Sequence, residues 1–399
     1  MTTLRELFDK SDFLAVGLMS GTSMDGVDAA LVRFSSARGE TGVELVAFET
    51  QPYPEELRSS LMELAFGEQC TAEDLATLHT AVAVSFSNAF FAVCARGKVP
   101  PAKVDFIGSH GQTVAHLPPS PGLSTPIAGT LQLGPPGMIA ALSGVTTVGD
   151  FRGGDVALGG QGAPLAPCAD FLLRRSKTEN RIVLNIGGIA NVTYLPKGCG
   201  IDEVIAFDTG PGNMIVDELY RVLYPGQGPF DRAGATAASG LASDSLVGTF
   251  LEFEFFSRRP PKSAGHHEFG ARFAWEFLAR AQAAGLKSAD VLASAALLTT
   301  RSIVRAVRDF IEPAGEIDKV FVSGGGSRNL TMLSHLVAEL APAKVLPIDE
   351  LGIPSDAKEA VDFAVLARET ILARTNVIHR ATGASRPLVL GSIAQGSGS

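Results

Sequence analysis

Between Phe13 and Leu18 the chain reads FLAVGL, an unbroken apolar run of the kind a buried strand shows. A turn of small residues follows, and the pattern resumes as VDAALVRF from Val27 to Phe34, so the pair predicts a β-hairpin. ELVAFETQPY continues the strand pattern. Thr71 then opens a helix, with Asp74 placed as in a capping box, and apolar residues recur at helical spacing toward Gly97. VDFIGSHGQTVAHL predicts a strand ending in a Gly-rich loop. VTTVGDF predicts another, ending in the loop RGGDVALGGQGAPLAP.

The middle of the chain repeats the opening. RIVLNIGGIANVTYL, Arg181 to Leu195, is a β-branched strand, a Gly-Gly turn and a second strand. VIAFDTGPGNMIVDELY reads as strand, loop and helix, and KVFVSGGGSRNLTMLSHLVAEL as strand, glycine turn and helix. The second hairpin echoes the first as a weak internal repeat. Strands alternating with helices predict an α/β architecture. LLTTRSIVRAV is expected to be core packing rather than a cofactor box. The tail GSIAQGSGS has the composition of a flexible end and is not expected in the fold.

Composition narrows the function. Of 399 residues, 19% are charged and 46% hydrophobic, the profile of a globular chain long enough for two or three domains. The net charge of −9 and the lack of a basic tract argue against a nucleic-acid partner, because phosphate backbones are bound by clustered Lys and Arg. Cys70, Cys94, Cys168 and Cys199 fit no zinc spacing and are expected to be buried thiols in a reducing compartment. MTTLRELFDKSD lacks a basic region followed by an apolar one, so no secretory signal is expected. AVAVSFSNAFFAVCA carries Ser and Asn and is short for a membrane span, so it is expected to be a buried helix. The expected location is the cytoplasm, with no membrane partner.

The turn in VGLMSGTSMDGVDAAL has no lysine and is followed by a strand, which excludes a phosphate loop of the GxxxxGK type. What remains is a hairpin tip of backbone N–H groups and hydroxyls, suited to an anion. Ser20, Gly21, Thr22, Ser23 and Gly26 form it. Asn185, Gly187 and Gly188 form the second hairpin, and Gly324, Gly325, Gly326 and Asn329 a third turn at a helix start, suited to a nucleoside. Any one of these turns is only a tight turn. Three, each after a strand and spread over both halves, have the logic of the actin-like ATPase fold.

The chain closely resembles the anhydro-N-acetylmuramic acid kinase family from Val16 to Ile393. The resemblance rests on GLMSGTSMDGVDAAL, GSHGQTVAH, DFRGGDVALGGQGAPLAP, NIGGIANVT, FDTGPGNMIVD, PPKS, VSGGGSRN and IPSDAKEAVDFAVLA. It implies two actin-like (ribonuclease H-like) lobes with an interlobe active-site cleft. Residues 1–150 completed by 370–399 are expected to form one lobe and residues 151–369 the other. It also implies that ATP and water open a 1,6-anhydro ring and phosphorylate O6, that Mg²⁺ accompanies the ATP, and that the protein is a homodimer. After PPKS the family usually continues with Thr, Gly, Arg and Glu. Here the run is Ser263-Ala264-Gly265-His266-His267-Glu268, so no contact of that Arg is carried over.

On the residues alone, Asp208 in FDTGPGN is either a general base at a strand end or the opening of an Asx turn. The resemblance assigns it the catalytic role. Asp25 sits in the phosphate hairpin, where a carboxylate makes sense with a Mg²⁺ between it and the phosphates, or as a turn residue; Asp28 reads as structural. The resemblance places Asp150 and Arg152 at the sugar, against a local salt bridge as the plain alternative. His110, Gln112 and Thr113 are within reach of the sugar on the same reading, with a structural hydrogen bond as the alternative for His110. Glu359 resembles a sugar-contacting glutamate and otherwise serves a helix dipole in its first turn. Two rival functions stand beside the first: a kinase of another anhydro-sugar such as levoglucosan, and a non-enzymatic actin-like protein.

Overall fold

The computed structural model describes residues 4–37, 40–67, 70–117 and 128–397. The chain divides into two compact units. Unit 1 is 1–174 with 356–399, and unit 2 is 175–355.

Unit 1 contains β1 (Phe13–Ser20), β2 (Gly26–Ala37), β3 (Glu40–Pro52), β4 (Phe106–Leu117), β5 (Gly129–Leu133), β6 (Thr147–Gly149) and β12 (Ser392–Ala394). Their order is β12-β6-β4-β1-β2-β3, with β5 on β4. β1, β2 and β3 form an antiparallel meander, and β1 pairs in parallel with β4. Unit 2 contains β7 (Arg181–Ile186), β8 (Ile189–Leu195), β9 (Ile205–Pro211), β10 (Lys319–Ser323) and β11 (Lys344–Pro347), ordered β11-β10-β7-β8-β9. β7, β8 and β9 are again an antiparallel meander, and β7 pairs in parallel with β10 and β10 with β11. Both sheets thus share the connectivity of an actin-like lobe: a three-strand meander whose first strand continues into parallel strands. The weak repeat in the sequence is a repeat of architecture.

β1 is buried on both faces, which is why it reads as continuous apolar sequence rather than alternation. The Ala72–Arg96 helix packs on β2 and β3, and its Thr71 cap and Asp74 form the expected capping box. It is long and apolar enough to cross a membrane by length and composition, yet over half of its most apolar window is buried within unit 1, as in a core helix. Across the sheet lies the Lys358–Ile371 helix, against β1 and β4. It comes so close that a Cβ on Gly17 would stand 1.7 Å from the Ala360 carbonyl oxygen, and one on Gly108 2.3 Å from that of Phe363. Two strand glycines therefore set where this helix, and Glu359 on it, can lie.

Several expectations are corrected. The unit boundaries fall at 174/175 and 355/356, because the Ala166–Arg174 and Lys358–Ile371 helices pack on each other in unit 1. GSHGQT is strand, not loop: β4 runs through it and accommodates its glycine with a register shift against β1. The loop after β6 contains a helical turn, Gly153–Ala157. The tail is part of the fold, since Ser392, Ile393 and Ala394 pair with Gly149, Val148 and Thr147. Cys70 is exposed, whereas the other three thiols are buried.

Candidate active site

Asp208 lies within β9, opposite Asn191 of β8, rather than at the strand end; the ladder continues to Pro211. Its side chain is 8% exposed. Oδ2 accepts the Ala264 N–H at 2.7 Å, and the Asp208 N–H donates to the Lys262 carbonyl at 3.1 Å. The PPKS segment therefore runs beside the aspartate and fixes its carboxylate by a backbone donor. Its carboxylate is thus bound by a residue far away in sequence.

The rest of unit 2's predicted set gathers at the ends of β7 and β10. Asn185 Oδ1 accepts the Ser323 hydroxyl at 3.2 Å. Gly324, at φ +80°, turns where a Cβ would stand 2.6 Å from that same Oδ1, so only glycine fits the bend. Its N–H donates to Ser355 Oγ at 3.0 Å. Gly325 and Gly326 open a 3₁₀ turn, Gly325–Arg328. Asn329 is the N-cap of the Leu330–Glu339 helix: its Oδ1 accepts the Met332 N–H at 3.1 Å and the residue is buried. Its role is the cap, because that oxygen is spent inside the protein. Gly187 and Gly188 are partly exposed at the hairpin tip. Asn213, which sequence reading missed, straps this tip to the Met214–Leu223 helix. Its Nδ2 donates to the Ile186 carbonyl at 3.1 Å and its N–H to the Gly187 carbonyl at 2.8 Å. An Asn just before an amphipathic run was the available signal.

In unit 1 the hairpin tip divides by depth. Thr22, Ser23 and Asp25 are exposed, and Gly21 is partly so. Ser20 is buried, its hydroxyl donating to the Gly26 carbonyl at 2.6 Å and to Gln112 Oε1 at 2.7 Å. Gln112 is fully buried, and its Nε2 donates to the Gly21 carbonyl at 3.1 Å. Both residues brace the tip from beneath, so neither side chain is presented to a sugar or phosphate. Thr113 is half-buried, and its Oγ1 accepts from Gln132.

Arg152 donates to His110 Nε2 through Nε at 3.1 Å, and through Nη1 to the Gly162 carbonyl at 2.7 Å. His110 is buried, and its pKa lies well below the ordinary range, chiefly through burial and then through Arg152. It is a neutral acceptor that orients the guanidinium. Asp155, fully buried, holds the same loop by accepting the Gly162 N–H at 2.7 Å and the Thr382 hydroxyl at 2.6 Å. No local sequence signal could have found it, because Thr382 lies far along the chain. Asp150 is exposed, in the left-handed region at φ +57°. Glu359 is half-buried. Burial raises its pKa most, Lys358 and Arg152 oppose, and Asp362 and Asp28 add to the rise. Burial likewise raises Asp28, opposed by the Thr50 hydroxyl at 2.6 Å, with Asp25 and Asp356 adding to the rise. These couplings bring Asp25, Asp28, Arg152 and Glu359 into one region of unit 1.

Among the described residues no group of three or more His, Cys, Asp or Glu is arranged to hold a metal by itself. An exposed Asp25 beside Asp28 is instead the kind of site that suits Mg²⁺, which takes one or two carboxylates together with phosphate oxygens and water.

The family model for anhydro-N-acetylmuramic acid kinase matches residues 13–396. The anhydro-N-acetylmuramic acid kinase of Caldanaerobacter subterraneus subsp. tengcongensis is 41% identical over 395 residues, covering 99% of this chain and 100% of that one. That of Salinibacter ruber is 41% identical over 395 residues, with 99% of each chain covered. That of Gloeobacter violaceus is 42% identical over 380 residues, covering 95% of this chain and 98% of its own.

Proposed function

The chain belongs to the anhydro-N-acetylmuramic acid kinase family, and from that premise we propose a division of its reaction between the residues of the two units. The enzyme is an ATP-dependent kinase. It opens the 1,6-anhydro ring of anhydro-N-acetylmuramic acid with water and phosphorylates O6, giving N-acetylmuramic acid 6-phosphate and ADP.

Asp208 takes a proton from the water that attacks the anomeric carbon. The bond from that carbon to O6 breaks, and the freed O6 attacks the γ-phosphate of ATP. A general base needs a fixed position within hydrogen-bond reach of its water. The Ala264 N–H on Oδ2, in a largely buried setting, supports Asp208 in that role. Gly188 and Gly325 offer backbone N–H groups to the nucleotide, Gly187 and Gly324, whose N–H groups bond Ile189 and Ser355, let the backbone come close to it, and Asn185 and Asn213 hold these turns in shape. Thr22 and Ser23 offer hydroxyls to the phosphates. Phosphoryl transfer is mainly positioning and charge neutralisation, and Mg²⁺ held at Asp25 supplies the latter when bound. Arg152 and Glu359 bind sugar hydroxyls, with His110 behind Arg152; Asp150 and Thr113 stand beside them. The reading as an actin-like binder without chemistry is disfavoured by the family, and so is levoglucosan as substrate.

The observation that carries this proposal is the Asp208 carboxylate, inside a strand yet held by the Ala264 N–H just after PPKS. The test is ATP consumption with Mg²⁺ and anhydro-N-acetylmuramic acid, beside a levoglucosan control and Asp208→Asn. We expect turnover with the muramic sugar only, falling by about 10²-fold or more in the variant, as for loss of a general base. An Asp208→Asn enzyme with undiminished turnover would remove Asp208 from the chemistry.

A further inference from the structure

Lys262, the lysine of PPKS, is 1% exposed. Its Nζ donates to the carbonyl of Phe255 at 3.2 Å and that of Phe256 at 3.5 Å. It lies over three aromatic rings, 4.7 Å from the centroid of Phe255, 5.0 Å from Phe310 and 5.6 Å from Phe207. A buried lysine is costly, and cation–π contact and two carbonyls offset only part of that cost. A leucine or methionine would fill the cage without it. Charge placed here at such expense points to a use for it.

Phe207 immediately precedes Asp208, and the Lys262 carbonyl accepts the Asp208 N–H. Two residues on, the Ala264 N–H binds the Asp208 carboxylate. Lys262 is thus the fixed point of the segment that touches Asp208 twice, pinned at one end by its backbone and at the other by its ammonium. We infer that Lys262 is a positioning residue for the general base: its caged ammonium sets the 262–264 segment so that the Ala264 N–H meets the Asp208 carboxylate. Its pKa is lowered to about 8, chiefly by burial and then by Arg258 and Arg305, with Asp208 and Asp309 acting in the opposite direction. Lys262 touches no reacting atom. It acts through the segment and, at longer range, through its charge on Asp208, and Phe255→Leu, which keeps that charge, isolates the first.

The inference rests on the reading of Asp208 as the base, and the experiment keeps the two apart. Wild type, Asp208→Asn, Lys262→Met and Phe255→Leu are compared in kcat, KM for both substrates and the pH dependence of kcat. Methionine keeps the apolar stem and removes the ammonium; leucine removes the closest ring and leaves the lysine. In Lys262→Met we expect kcat to fall by about tenfold or more with both KM values within about twofold, the split that marks a loss felt in the transition state. The acid limb of kcat should move to higher pH, because a carboxylate that loses an N–H donor holds its proton more tightly. Phe255→Leu should show the same shift in smaller measure, and it carries the test if Lys262→Met does not fold. A folded Lys262→Met with wild-type kcat and an unmoved acid limb overturns the inference. So does a fall in kcat matched only by a smaller folded fraction, with the limb unmoved, since that is plain destabilisation. If Asp208→Asn keeps its activity, the reading of the base fails first, whatever Lys262 does.

Discussion

Asp217, on the Met214–Leu223 helix, shows how one side chain makes stability depend on pH. Burial pushes its pKa up to about 7; Arg221 opposes this and Asp231 adds to it. Between the ordinary carboxylate range and 7, the folded state holds a proton that the unfolded chain has released. Stability must therefore fall as pH rises through that window, and the whole cost is present above it. Asp217→Asn, a neutral stand-in for the protonated acid, should raise the melting temperature at pH 8 and leave it nearly unchanged at pH 4. An equal gain at both pH values would place the effect outside ionisation. Single residues were unevenly legible in the sequence. Asp208, Asp25, Arg152 and Glu359, the groups proposed for the chemistry, stand out as charged residues in specific motifs. Ser20, Gln112 and Asn329 looked like ligand residues of the same motifs, yet their polar atoms are spent on the protein's own backbone. A sequence shows that a hydroxyl or amide is present and not which partner has already taken it.

Two helices meet through buried charge. Arg174 lies 2.8 Å from both Asp170 and Asp362, and Lys358 lies 2.8 Å from Asp362 and 3.2 Å from Asp170, all with side chains at most 3% exposed. The four charges cancel, so each is tolerated only because the others are there. The quartet sits where the chain leaves unit 1 at Arg174 and just after it returns at Asp356, and it sets the first turn of the helix that carries Glu359. Asp362→Leu leaves two cations facing one carboxylate. It should cost about 3–5 kcal/mol in urea unfolding, the penalty of breaking a buried pair by removing one partner. A midpoint unmoved from wild type would show that the pair contributes nothing net. The sequence placed Glu359 in the first turn of a helix, but the quartet was invisible, because its halves are far apart along the chain. Strand elements failed for the opposite reason. GSHGQT has loop composition and GSIAQG has linker composition, yet β4 and β12 form there because a neighbouring strand supplies the ladder. Propensity is a local quantity, and pairing is not.

At the scale of the molecule, the chain begins and ends in unit 1, with unit 2 inserted between. The paired hairpins made the two actin-like sheets legible, whereas their boundaries were not, since these follow packing between helices rather than any shift in composition. The return of the chain brings its last strand beside the residues proposed for the sugar. β12 covers the open edge of β6, whose next residue is Asp150, and the Ser392 hydroxyl stands 3.5 Å from Asp150 Oδ2. Further on, the Gly396 N–H donates to Thr146 Oγ1 at 3.4 Å, where a Cβ on Gly396 would lie 2.3 Å from the Gly144 carbonyl oxygen. A chain ending at Gly391 loses these contacts and leaves a β6 edge unpaired. A few backbone hydrogen bonds at roughly 1 kcal/mol each put the loss at about 1–3 kcal/mol. The shortened protein should therefore melt earlier. Its KM for the sugar should rise, because Asp150 and Arg152, proposed for the sugar, follow directly from β6, while its KM for ATP should hold, because the unit 2 glycines proposed for the nucleotide keep every neighbour described for them. Thermal melts with steady-state kinetics in each substrate check this. A rise in the ATP KM equal to that in the sugar KM would count against the division of labour between the units, and an unchanged melt would return the tail to the role of a flexible end.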